Sequence, residues 1–267
     1  MVGSVLAKSL RDLRRSFAWW VVGLAAYVAM IVSVYPTIRD NPDLNDLVES
    51  YPEALKAFIA FGGQTDFTSA AGYLGSELFS FMIPILFLVA SVGNGAGAIA
   101  GEEERGTLDL LLSAPLSRTR VAVEKLAALC LEVVGLGLVL WLALWLGARA
   151  GSLDVSAGHL AAATAAVVLL AVAYGAIAFM LAAATGRRAL AIGVAVAAAV
   201  TAYLVNSLAA LVSALEPFQK ASPFYHYAAA DPLHHGLDAW HTLVLVAIAA
   251  AAGAAGVVLF DRRDIAA

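Results

Sequence analysis

The stretch "LAAATAAVVLLAVAYGAIAFMLAAAT", from Leu160 to Thr185, decides the fold. No Asp, Glu, Lys or Arg interrupts it, and about 20 apolar residues rising roughly 1.5 Å each cross a ~30 Å hydrocarbon core. Five more runs are comparably long and apolar, with Glu132 in the third as their one charged residue: "FAWWVVGLAAYVAMIVSVY" from Phe17, "LFSFMIPILFLVASVGNGAGAIA" from Leu78, "LAALCLEVVGLGLVLWLALWLGA" from Leu126, "ALAIGVAVAAAVTAYLVNSLAALVSAL" from Ala189 and "TLVLVAIAAAAGAAGVVLF" from Thr242. None alternates apolar and polar residues as a barrel strand does. The 62% hydrophobic and 13% charged composition places the whole 267-residue chain in the same class. The expectation is an all-α membrane protein with six transmembrane helices forming a single domain over residues 1–267.

The first run follows a basic N-terminus but is too long for the core of a cleaved signal, so a retained first span is expected. Lys and Arg are unevenly spread. Twelve of the sixteen, among them Lys8, Arg105, Arg118, Arg188 and Arg263, fall at one set of helix ends. Loops rich in Lys and Arg stay inside, so both termini are expected to be cytoplasmic, in a multi-pass protein of the cell (inner) membrane. The net charge of −4 hides that asymmetry and gives no reason to expect nucleic-acid binding. Cys130 is alone, so the chain forms no internal disulfide.

Val2, Leu6, Leu10, Leu13 and Phe17 form a helical stripe with the basic residues off it. Residues 1–16 are therefore expected to lie as a separate interfacial helix before the first span. Residues 36–74 and 216–240 form the outer loops. In the first, Leu44, Leu47, Val48 and Tyr51 suggest one short helix, and Leu55, Phe58 and Ile59 a second that opens at Pro52 and stops at Gly62 and Gly63. Pro84 should kink the second span, because its ring denies a hydrogen bond to the preceding turn. Gly93, Gly97 and Gly101 make a small-residue stripe for close helix approach, either within the bundle or at a dimer seam.

The loop after the second span, "GEEERGTLDLLLSAPLSR" from Gly101 to Arg118, is the least ordinary segment. Thr107 can start a helix that Pro115 must end. Leu108, Leu110, Leu111 and Leu112 then cover a broad arc of only two turns, too little helix to hide four leucines. Something else must cover them: the lipid interface, the cytoplasmic ends of the chain's own spans, or another subunit. Glu102, Glu103 and Glu104 argue against an anionic lipid surface and favour a partner with basic and apolar patches. Ser117 should cap the next helix, with Arg120 and Glu124 paired four residues apart.

"ERGTL", "LLSAPLSR" and the following "EKL" resemble the loop after the second span in permease subunits of type-2 ABC exporters. "YPEALKAF", "YLGSELFSFMIPILFLVAS" and "SPFYHYAAADPLHHG" extend the likeness over most of the chain. The resemblance implies that Glu104, Arg105, Gly106, Thr107, Leu112, Pro115 and Arg118, flanked by Glu102, Glu103, Leu108 and Leu111, form a coupling helix docked on a cytoplasmic ABC ATPase. It further implies that residues 1–16 are an elbow helix, and that the permease pairs with a second copy or a related permease. ATP and Mg would then be held by the ATPase and no cofactor by this chain. The sequence agrees on one point: Lys8, Lys56, Lys125 and Lys220 follow Ala, Leu, Glu and Gln, so none sits in a Gly-Lys-Ser/Thr phosphate loop.

Other candidates carry less. Glu132, inside the third apolar run, either lines a transport path or is a structural acid satisfied by water, Asn94 or a basic residue. His226, His234, His235 and His241 gather in the last outer segment, but their spacing matches no defined metal motif. No Gly-x-Ser-x-Gly or His-Glu-x-x-His occurs, so no catalytic residues are assigned. Two further classes stay open: an ion-gradient-driven secondary transporter, and an ABC-type scaffold or sensor permease that moves nothing.

Overall fold

The computed structural model describes the chain apart from residues 1–3, 42–45, 48–49, 53–54, 57–65, 67, 109–110, 112–115, 152, 210 and 264–267. Every regular element among the described residues is helical. Six segments are long and apolar enough to span a bilayer: α1 (Val5–Arg39), the composite Ala70–Gly97, α5 (Arg118–Ala150), α6 (Ala157–Thr185), α7 (Arg188–Leu208) and α10 (Ala239–Arg262). The composite is α2 (Ala70–Leu74), a π-helical turn at Gly75–Phe79, and α3 (Met82–Gly97). Short α4 (Ala100–Glu104), α8 (Glu216–Gln219) and α9 (Pro223–Ala228) complete the set. The chain is an all-α, multi-pass membrane protein.

The opening stretch forms the centre. α6 packs against α3, α5, α7 and α10, and its alanines allow that crowding because they leave the helix cylinder thin. Its ends are fixed locally. Ser156 accepts the His159 N–H at 3.1 Å, and Gly186 closes the helix in the left-handed conformation at φ 67°. Helix α7 then starts at Arg188, so the two spans form a tight antiparallel pair.

The composite span breaks where Pro84 requires it. Proline has no N–H for the Ser80 carbonyl and its ring crowds that carbonyl, so the helix is interrupted at Ser80 and Phe81 rather than at the proline itself. The interruption frees the Phe79 carbonyl, which accepts the buried Tyr227 hydroxyl at 2.7 Å.

Two expectations are corrected. Residues 5–16 are not a separate element, because α1 runs without a break for 35 residues, about 52 Å at 1.5 Å per residue. Its course is set by α5, which runs parallel beside it. The Leu6 N–H reaches the Glu124 carboxylate at 2.8 Å, Phe17 abuts Gly135, and Val32 abuts Gly147. A polar first turn held that way has no reason to bend away. The second correction concerns the glycines. The helix contact is made by Gly95, off the expected stripe: a Cβ there would lie 2.2 Å from the Gly175 carbonyl oxygen of α6. Gly93 faces open space and Gly97 faces the Arg188 guanidinium. Of the outer-loop helices, Leu44, Val48, Phe58, Ile59, Gly62 and Gly63 lie outside the described residues, and the described Leu47 and Leu55 are exposed.

Candidate functional site

The basic residues singled out from the sequence converge on one end of the bundle, around the base of the 101–118 loop. Glu102 is the hub. It is 4% exposed, although an exposed acidic patch was expected. Lys125 of α5 donates to its Oε1 at 2.6 Å, and Lys8 of α1 lies 3.5 Å from the same oxygen. The Thr107 hydroxyl donates to Oε2. Burial by itself would raise the carboxyl's pKa; the hydrogen bonds from Lys125 and Thr107 and the charges of both lysines outweigh it, and hold Glu102 at about 2. It is an anion at any physiological pH.

A second ionic contact ties the loop to α6 and α10. Arg263, just past α10, donates to the Glu103 carboxylate and to the Ala182 and Ala183 carbonyls at 3.3 and 3.1 Å. It therefore caps the open end of α6 as a basic residue should. Gly186 is needed here for space as well as for φ, since a Cβ would lie 2.8 Å from Glu103 Oε2 and 2.9 Å from Arg263 Nη1. Arg118 donates to the Arg263 carbonyl at 2.7 Å, and Thr119 to Asp261 at 2.9 Å. Ser117 caps α5 by accepting the Arg120 N–H at 3.2 Å, and Arg120 pairs with Glu124 at 2.8 Å, both as expected.

Between these anchors the chain reverses at Gly106, in the left-handed region at φ 66°, and the Leu111 N–H bonds the Thr107 carbonyl at 3.1 Å, one helical turn on. That reversal drops Leu108 onto the ends of three long helices, where it is 3% exposed among Ile99, Ala122, Phe179, Ala183 and Phe260. For this leucine the cover is the ends of the chain's own spans, one of the three candidates. Leu111 is half-buried, while Glu104 and Arg105 are exposed; Leu110, Leu112 and Pro115 lie outside the described residues. Charged side chains thus join the loop to α1, α5, α6 and the end of α10.

Sequence reasoning missed Lys125, Lys8 and Arg263 as members of this assembly. Their signals were present as "EKL" directly after the loop and "DRR" after the last span, but which acid each base meets, whether 23 residues away or 160, is not written in local pattern.

Glu132 is 4% exposed, and Asn94 of α3 donates its amide to both carboxylate oxygens at 2.9 and 2.7 Å. Of the partners considered from sequence, Asn94 is the one in place. At the far end, His226 Nδ1 lies 2.9 Å from His241 Nδ1, while His226 Nε2 meets the Lys220 carbonyl at 2.9 Å. His234 and His235 face Asp231 at 3.0 and 3.8 Å. No cluster of three metal-ligating side chains occurs among the described residues.

Residues 2–261 match the family model described as "Multidrug efflux system permease Rv1217c, C-terminal domain". A stretch of 99 residues is 35% identical to the probable ABC transporter permease protein NosY of Stutzerimonas stutzeri, covering 36% of this chain and 32% of that protein. The corresponding protein of Pseudomonas aeruginosa is 36% identical over 100 residues, covering 37% and 32%. The chain thus matches about a third of the length of these relatives. With six spanning helices and a family match over nearly its whole length, the chain belongs to the Rv1217c C-terminal permease family.

Proposed function

We propose that the chain is the membrane-spanning subunit of an ATP-driven exporter, and that residues 101–118 are the coupling segment that receives force from a separate ABC ATPase. The observation that carries this reading is the double clamp of Glu102 on Lys125 and Glu103 on Arg263, which ties the loop both to the helix that follows it and to the end of the last span. The convergence of the Lys and Arg residues on the loop end supports cytoplasmic placement of that end and of both termini. Export follows the efflux named in the family description. ATP and Mg belong to the ATPase, and a second permease copy or a related permease completes the pathway.

Energetically the cycle is a population shift. Nucleotide favours one conformation only as far as contacts made at the loop differ between conformations. Glu104, Arg105 and the outer side of Leu111 are the described side chains available for those contacts, whereas Glu102 and Leu108 carry the load inward.

Leu111→Asp tests the reading. Co-expressed with its ATPase, the variant should insert normally and lose copurification of the ATPase and ATP-dependent flux, because an unpaired carboxylate at an apolar contact is costly. Unchanged copurification and flux sink the proposal, and flux driven by an ion gradient without ATP would replace it with a secondary transporter.

A further inference from the structure

At the loop end, a cleft of about 110 Å³ opens between the first turns of α1, the end of α3, α5 and the start of α7. Two buried polar atoms on its lining are without a hydrogen-bond partner: Ser9 Oγ, on a residue 5% exposed, and Arg188 Nε. A buried donor left this way costs free energy unless something in the cleft accepts from it. Arg188 forms no ion pair among the described residues, and neither does Arg105 on the same lining.

The charge and the shape of the cleft point to the same ligand. Glu102 is already neutralised by Lys125, with Lys8 in addition, so the free charges on the lining are Arg188 and Arg105 against Asp12. Space is supplied by the glycines that do not pack helix on helix. A Cβ on Gly93 would meet nothing within 4 Å, and one on Gly97 would first meet Arg188 Nε at 3.6 Å. A guanidinium with free donors beside a buried hydroxyl is suited to a tetrahedral oxyanion, which takes a fork of N–H bonds together with an O–H bond.

We propose that this cleft binds a phosphate group. Asp12 at its edge limits the negative charge it accepts, which suits a singly charged phosphodiester better than a doubly charged monoester. The cleft lies where α7 begins and α3 ends, and α7, which supplies Arg188, is the span least covered by the rest of the chain. An anionic lipid headgroup and free inorganic phosphate share the required chemistry; the inference depends neither on the direction of transport nor on the ATPase.

The test uses the full-length chain in phosphatidylcholine nanodiscs, with or without phosphatidylglycerol, and in a separate arm titrates inorganic phosphate into the phosphatidylcholine discs. Phosphatidylglycerol should raise the unfolding midpoint and be retained in native mass spectra. Arg188→Gln should weaken retention about tenfold, and Arg188→Lys less. Gly93→Leu, whose Cβ meets nothing within 4 Å and whose side chain takes up space in the cleft without removing a charge, should also abolish the effect, and carries the test if Arg188→Gln does not fold. An Arg188-dependent shift with inorganic phosphate alone supports the site and identifies free phosphate as the source. Equal retention by the wild type and both variants, or no response to either phosphate source, overturns the proposal.

Discussion

The two ends of the bundle are closed by different chemistry. At the loop end, charged side chains bridge elements: Lys125 and Lys8 to Glu102, Arg263 to Glu103, Thr119 to Asp261. At the far end neutral hydroxyls bond backbone carbonyls: Tyr73 to Ile31 at 3.0 Å, Tyr27 to Glu77 at 3.1 Å and Tyr227 to Phe79 at 2.7 Å. A neutral bond to a carbonyl positions one helix on another and gains little from any third group. An ion pair is coupled to every charge nearby, so its strength depends on groups beyond its two partners.

Breaking the hub is the sharpest way to test this contrast. Glu102→Ala strands Lys125, whose side chain is 8% exposed, and should cost about 3–5 kcal/mol in an unfolding titration. Glu102→Met with Lys125→Met removes both charges and should recover most of the loss. A double variant as unstable as the single would show that the pair is not the clamp.

Tyr227→Phe makes the matching change at the far end. It leaves the buried Phe79 carbonyl without its hydroxyl, and a loss of about 1–2 kcal/mol is expected in the same titration. A loss as large as that of Glu102→Ala would remove the distinction between the ends.

Mild acid should separate them with the smallest effect. Glu102, held at about 2 against an ordinary 4.5, contributes stability that is present above about 4.5 and lost only as pH falls through about 2. His226 behaves oppositely within the usual range. Burial first, and then the neighbouring His241 charge, push its pKa below 6.5 despite the opposing Lys220 carbonyl. Nε2 donates to that carbonyl, so Nδ1 must accept from His241, and a proton there breaks the bond. The stability this neutral pair contributes is present above 6.5 and is lost as pH falls through the lowered value. His226→Gln should therefore flatten the stability slope between about pH 7 and 5, whereas Glu102→Ala should leave that slope unchanged.

Six helices, the break that Pro84 imposes, the cap at Ser117 and the gathering of basic residues at one end were all legible in the chain, because each follows from composition, local sterics or the cost of placing charge in hydrocarbon. Those effects act over a turn or over the membrane's thickness and need no knowledge of neighbours. Which glycine meets which helix, that Lys125 and Arg263 seize the loop, that Leu108 turns inward, and that α1 stays straight against α5 were decided by tertiary packing. A run of alanine and leucine presents nearly the same surface on every face, so its pattern cannot choose a partner; the choice falls to the few small or charged side chains whose contacts lie far away in sequence.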